Sequence, residues 1–154
     1  MSRTVVVTGG GSGIGLACAI HFAKAGDTVY ITGRRAAVLD DAANLSGAVP
    51  VVFDAADPEA VADALDKLPD SIDVLVNNAG GNTDMALSGT VDADMNEAAR
   101  LAAIASRWHA NFNANVLTAV LVTDALQPRL VNEARIITIG SIAGRTGGGG
   151  SYGS

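Results

Sequence analysis

Thr8, Gly9, Gly13 and Gly15 make the pattern Thr-Gly-x-x-x-Gly-x-Gly within the first fifteen residues. The β-branched run Val5 to Val7 leads into it. An apolar helical pattern follows, with Ile14, Ala17, Cys18 and Phe22 at i, i+3, i+4 and i+8. Strand, glycine turn and helix together open a nucleotide-binding βαβ unit. Glycines let the main chain approach a pyrophosphate, while the start of a helix offers unpaired N–H groups and a positive dipole end. Thr8, Gly9, Gly11, Ser12, Gly13, Ile14 and Gly15 are therefore candidate phosphate-binding positions. Strict G-x-G-x-x-G would need glycine where Ile14 stands, and a P-loop would need a Gly-Lys-Ser/Thr that is absent. A tight βα turn without a ligand would also use these glycines.

Charge at the end of the second apolar run bears on which nucleotide fits. An acid about 20 residues beyond the glycine loop would hold the ribose hydroxyls of NAD. The chain has Thr32-Gly33-Arg34-Arg35 there, two guanidiniums and no acid. Arginine suits a 2′-phosphate through forked, charge-assisted bonds, so NADP(H) is favoured over NAD(H), which stays possible. The alternative is that Arg34 and Arg35 start the next helix and point to solvent. Asn77-Asn78-Ala79-Gly80 ends another apolar run; it is a polar turn or the floor of a ligand crevice at strand carboxyl ends. Asn115 stands in a largely apolar helical stretch, where its amide must be satisfied.

These residues need a scaffold, and the chain supplies one. Strands are expected at Thr28 to Thr32, Val49 to Phe53, Ile72 to Val76 and Arg135 to Ile139, alternating with helices at Ala36 to Leu45, from Pro58, at Asp92 to Arg107 and at Trp108 to Leu126. Val38, Ala42 and Leu45 share one helix face; Val61, Ala64, Leu65 and Leu68 share another. Asp57 caps its helix with Pro58 at the first position. Pro50 cannot donate to a central ladder, so its strand belongs at a sheet edge, where the doubly wound order 3-2-1-4-5 puts strand three. The fold class is α/β with a Rossmann-type doubly wound parallel sheet in three α/β/α layers.

At 154 residues one domain is expected, with hydrophobic content (49%) enough for a core. The net charge of −6 and the scattered basic residues argue against nucleic acid and anionic membrane surfaces as partners. No apolar run reaches ~18 residues, as a membrane-spanning helix would need. The chain enters a strand at once, with no signal-peptide pattern, so the expected location is cytoplasmic. Cys18, the sole cysteine, reads as a small core residue, and no metal site is expected. The run Gly147 to Gly150 with Ser151 also looks like a flexible linker.

The glycine pattern, the Asn77-Asn78-Ala79-Gly80 run and the order of elements resemble the short-chain dehydrogenase/reductase family. That resemblance implies that Asn78, Ala79 and Gly80 line the cofactor site, and that Asp54, beside Ala55, contacts the adenine; Asp54 could also be a plain turn residue. Trp108 and Asn115 match the family's Trp…Asn spacing, in which the asparagine holds a proton-relay water; the alternative is a structural bond to a main-chain carbonyl. Ser141 matches the serine that hydrogen-bonds the substrate carbonyl, and Tyr152 the tyrosine that protonates its oxygen. Free tyrosine has a pKa of ~10, so a neighbouring cation must lower it. The family places a lysine four positions beyond the tyrosine, whereas this sequence ends two residues after Tyr152. The expectation is a domain lacking the C-terminal strands and substrate lid. The implied function is NADP(H)-dependent hydride transfer between nicotinamide and a small-molecule carbonyl or alcohol, in a homo-oligomer. A non-catalytic NADP(H)-binding module and an inactive fragment are the alternatives. A methyltransferase fits less well, because Thr8 rather than an acid precedes Gly9.

Overall fold

The computed structural model describes residues 2–81, 83 and 95–141. Among them run β1 (Thr4–Thr8), α1 (Gly13–Lys24), β2 (Thr28–Gly33), α2 (Ala36–Ser46), β3 (Val49–Val52), α3 (Pro58–Ala64), β4 (Ile72–Asn77), α4 (Glu97–Phe112), α5 (Thr118–Leu126) and β5 (Leu130–Thr138). The strands form one parallel sheet in the order β3-β2-β1-β4-β5, as the doubly wound reading requires. Pro50 lies in β3 at the edge, where its missing N–H costs no central ladder bond.

Alternation along β1 sets the two core layers. Val5 and Val7 point to one face with Ala19, Leu39 and Val76; Val6 points to the other with Leu75, Val122 and Leu126. All three valines are fully buried, each stabilising the fold by about 1.5–3 kcal/mol relative to exposure. At the amino end of the sheet, the Arg3 guanidinium donates Nε and Nη2 to the Asp27 carboxylate at 3.1 and 2.6 Å. That hydrogen bonding holds the Asp27 carboxyl below its usual range.

Several boundaries and faces differ from the sequence expectation. The buried residues of α1 are Gly15 and Ala19, while Ile14 is 60% exposed and Ala17 is also exposed. The helix presents its smallest side chains so that it can lie close to the glycine turn. In α2 the buried pair is Leu39 and Ala42; Val38 is half-buried and Leu45 is exposed. The helix beginning at Pro58 is α-helical only to Ala64, and a 3₁₀ turn covers Leu65–Lys67. Asn96 caps α4 by accepting from the Ala99 N–H, and the helix runs from Glu97; the expected start at Asp92 lies outside the described residues. Between α4 and α5 the chain stays helical through a π turn at Asn113–Leu117, so the change falls there and not between Arg107 and Trp108. Strand β5 starts at Leu130, ahead of the expected Arg135. It carries a register shift between its pairings with Ile72 and Val74, and Glu133 adopts φ +68°. A bulge absorbs residues that alternation alone would have excluded.

Arg129 ties this connection down. Its Nη1 lies 2.8, 3.0 and 3.4 Å from the carbonyls of Leu65, Leu68 and Pro69, at the end of the α3 segment. Arg129→Ala takes the guanidinium from the Leu68 and Pro69 carbonyls, while the Leu65 carbonyl keeps the Leu68 N–H, a cost of about 1–3 kcal/mol. The midpoint of thermal unfolding should fall by roughly 3–10 °C, followed by far-UV circular dichroism. An unchanged midpoint would show the guanidinium to be dispensable.

Candidate functional site

Because every strand is parallel, the carboxyl ends of all five lie along one edge of the sheet. That edge gathers the glycine loop after β1, Arg34 after β2, Asp54 after β3, Asn78 to Gly81 after β4 and Ser141 beyond β5. The strand order turns back between β1 and β4, the place where open α/β sheets bind ligands.

Thr8 and Asn78 lock the two sides of that crevice together. The buried Thr8 Oγ1 accepts from the N–H groups of Asn78 and Ala79 at 3.0 and 2.9 Å, and donates to the Val76 carbonyl at 3.3 Å. In return Asn78 Nδ2 donates to the carbonyls of Thr8 and Gly9 at 3.0 and 3.1 Å. The glycine loop folds tightly over this clasp. Gly9 has φ +64°, and a β-carbon there would stand 2.9 Å from Ala79 Cα. At Gly15 a β-carbon would overlap the Gly9 carbonyl oxygen and come within 2.5 Å of Asn78 Nδ2. Gly10, which the sequence reading left out of the phosphate-binding positions, is equally constrained. Its N–H donates to the Thr32 carbonyl at 3.1 Å, and a β-carbon would meet Ile31 Cγ2 at 2.5 Å. Its place inside the run Gly9-Gly10-Gly11 was the available signal.

The α1 N-terminus differs from those of α3 and α4. Asp57 Oδ1 accepts from Glu59 and Ala60, and Asn96 caps α4, but the Ser12 side chain makes no capping bond. Gly13, at φ +54°, has nothing within 4 Å of where a side chain would start. The first turn of α1 thus has no side-chain cap and open space beside Gly13, and N–H groups left at such a helix start suit an anion.

Arg34 is largely exposed, with Nη1 3.8 Å from Asp54 Oδ2. The Arg35 side chain is also exposed, and its main chain supplies the N-cap of α2 without a side-chain capping bond. Asp54 Oδ1 accepts from the Ala56 N–H at 3.0 Å, an Asx turn, so Asp54 does serve as a turn residue. Ala55 beside it is buried.

On the other side of the crevice, Asn115 occupies the π turn. Its Oδ1 accepts from Gly81 N–H at 2.9 Å, while Nδ2 donates to the carbonyls of Gly81 and Asn111 at 3.0 and 3.1 Å. The structural bond to a main-chain carbonyl is thus present, and it ties the helix to the turn after β4. Gly80 must be small here, since a β-carbon would lie 2.7 Å from Asn115 Oδ1. Thr118, which sequence reasoning missed, places its hydroxyl 3.1 Å from the Ala114 carbonyl and 3.3 Å from that of Ala79. It follows Asn115 by three positions, the spacing of residues on one helix face. Ser141 is exposed, three residues past the end of β5. Tyr152 lies outside the described residues. The described residues hold no cluster of three or more His, Cys, Asp or Glu able to bind a metal ion, and no described helix is long and apolar enough to cross a membrane.

Likeness to known proteins agrees with this geometry. Residues 3–154 match the short chain dehydrogenase family. The chain is 36% identical to sulfoacetaldehyde reductase 2 of Chromohalobacter salexigens, over 94% of this chain and 57% of that protein. It is 34% identical to a probable NADP-dependent dehydrogenase of Haemophilus influenzae, over 93% of this chain and 55% of the relative. Among solved structures, the RhlG/NADP active-site complex of Pseudomonas aeruginosa superposes with a TM-score of 0.74 at 28% identity. That match covers 96% of this chain and 56% of the other. The chain thus spans about half the length of the relatives it matches.

Proposed function

Since this chain belongs to the short chain dehydrogenase family, we propose that it is the cofactor-binding part of an NADP(H)-dependent oxidoreductase acting on a small-molecule carbonyl or alcohol. The observation that carries the reading is the uncapped α1 N-terminus behind Gly13, at the edge where Arg34 also emerges. Bound NADPH supplies hydride to a carbonyl carbon, or NADP accepts it from an alcohol.

The chain's own residues bind and orient. Gly9, Gly11, Ser12, Gly13, Ile14 and Gly15 present the loop and first helical turn to the pyrophosphate. Thr8 and Asn78 hold that loop rigid, so its N–H groups need no rearrangement on binding. Arg34 and Arg35 take the 2′-phosphate, which two exposed guanidiniums and the absence of an acid at the end of β2 support. Asp54 and Ala55 flank the adenine, and Asn78, Ala79 and Gly80 line the turn beneath the nicotinamide half. Ser141 donates to the substrate oxygen and Tyr152 exchanges its proton. Asn115, anchored on Gly81, fixes the helix that walls this end of the crevice. The family's lysine partner to the tyrosine would fall beyond position 154. The similarity to the Haemophilus influenzae dehydrogenase and to the NADP complex supports the cofactor, and the sulfoacetaldehyde reductase supports the carbonyl chemistry.

Self-association belongs to the same reading. Leu101, Trp108, Phe112, Val116 and Val120 are all exposed along α4, the π turn and α5, mostly four residues apart. That makes an apolar stripe suited to a second copy. A cytoplasmic setting is consistent with this cofactor.

The decisive test is cofactor titration of the Arg34→Ala/Arg35→Ala double variant. Each charge-assisted bond removed is worth about 1.5–3 kcal/mol in favourable geometry, less at an exposed site. NADPH affinity should therefore fall roughly ten- to a hundredfold while NADH affinity changes little. Equal loss for both cofactors would sink the NADP(H) assignment.

A further inference from the structure

We propose that Asp54 limits this chain's preference for a 2′-phosphorylated cofactor by acting as an internal competitor for Arg34; the proposal rests on the NADP(H) reading above. Asp54 Oδ2 stands 3.8 Å from Arg34 Nη1, and Arg34 makes no other ion pair among the described residues. The two sides of this contact are anchored differently. Asp54 is held in place by its Asx turn, Oδ1 accepting from Ala56 N–H, and by the Asp57 N–H donating to its own carbonyl at 3.1 Å. Arg34 is 76% exposed, on a long flexible stem. The carboxylate is thus a fixed charge, and the guanidinium is the partner that moves.

A fixed anion beside the arginine acts twice against a 2′-phosphate. It draws the guanidinium toward β3 in the empty protein, and that attraction must be given up or shared when phosphate arrives. It also places one negative charge near a phosphate carrying close to two, a repulsion of the same order at this range. Both effects are moderate, because the pair is solvated. Neither acts on NADH, which has no 2′-phosphate. Asp54 therefore sets the ratio of the two affinities, apart from any interaction it has with the adenine.

Asp54→Asn isolates the charge. The amide oxygen can still accept from Ala56 N–H, so the turn is kept, and any change at the adenine would affect both cofactors alike. The measurement is the ratio of NADH to NADPH dissociation constants, obtained by calorimetry on the full chain in wild type, Asp54→Asn, Arg34→Ala and the double variant. Asp54→Asn should raise the preference for NADPH about three- to tenfold, and the gain should shrink to less than twofold in the Arg34→Ala background. A preference that is unchanged or lower in Asp54→Asn would overturn the proposal, as would a gain of the same size without Arg34. Failure of the underlying reading looks different: Arg34→Ala itself would leave the preference where it was, and the Asp54 proposal would fall with it.

Discussion

Gly15→Ala is expected to abolish tight nucleotide binding and to lower stability together. The added methyl would overlap the Gly9 carbonyl oxygen and press within 2.5 Å of Asn78 Nδ2. Those two atoms are bonded to each other, at 3.1 Å, and Asn78 also holds the Thr8 carbonyl. Neither can retreat without opening the clasp that joins β1 to the turn after β4. Overpacking of a site that cannot relax costs about 1–3 kcal/mol, or roughly 3–10 °C in the unfolding midpoint of a domain this size. The loop would shift off the α1 N-terminus, and removing even two main-chain hydrogen bonds to a pyrophosphate should weaken binding by about a hundredfold. Gly26→Ala supplies the control. Gly26 has φ +88° with open space around it, so alanine there carries only the left-handed backbone penalty, about 1–2 kcal/mol, away from the crevice. Stability should fall in both variants, and affinity only in Gly15→Ala. Nucleotide affinity near the wild-type value in Gly15→Ala would remove the glycine loop from the site.

The contrast between those two glycines shows what a sequence displays and what it hides. Strand order was legible because two independent signals met at Pro50, a proline that needs an edge and a topology that offers one. The strand β1 was legible as the β-branched run Val5 to Val7 leading into the glycines, whereas the split of Val5 and Val7 from Val6 between the two core layers came with the fold. The faces of α1 were not. Counting apolar residues put Ile14 and Ala17 inward, yet the helix turns Gly15 and Ala19 to the sheet. There the controlling quantity is the closeness of helix to glycine turn, which rewards small side chains over greasy ones. The start of β5 was hidden for a similar reason: it depends on a bulge and on Glu133 at positive φ, which no period-2 pattern encodes. In the site, residue types were legible and pairings were not. That Asn78 belongs near the loop could be inferred from its motif, but that it reaches back to the Gly9 carbonyl could not. Asn115 shows the same limit. A relay water and a structural bond are equally compatible with its sequence position, and only the distances to Gly81 and Asn111 reveal the structural bond.

Thr8→Val tests the other half of the clasp and should be the costlier of two near-isosteric changes. Valine matches threonine in shape and suits a strand at least as well, so packing and propensity are nearly held constant. What disappears is one oxygen that accepts from two N–H groups, those of Asn78 and Ala79, and donates to Val76. Thr8 is 2% exposed, so water cannot readily take its place. Two part-buried N–H groups left without an acceptor cost about 2–4 kcal/mol together, which is roughly 5–15 °C in the midpoint. Thr8→Ser makes the complementary change: it keeps the oxygen and gives up one buried methyl, worth about 0.8 kcal/mol. Stability should therefore order wild type, serine, valine. The reverse order would mean that the methyl, not the hydroxyl, holds this position. The loss in the valine variant should also spread across the crevice. Asn78 and Ala79 lead directly into Gly81, and Gly81 is the residue that Asn115 grips with both ends of its amide. Freeing the start of that turn loosens the wall built by the π segment, so hydrogen exchange at Gly81 and at the residues around Asn115 should quicken in Thr8→Val and stay slow in Thr8→Ser. Exchange that quickens only within β1 would show that the hydroxyl stabilises its own strand and leaves the far side of the crevice alone.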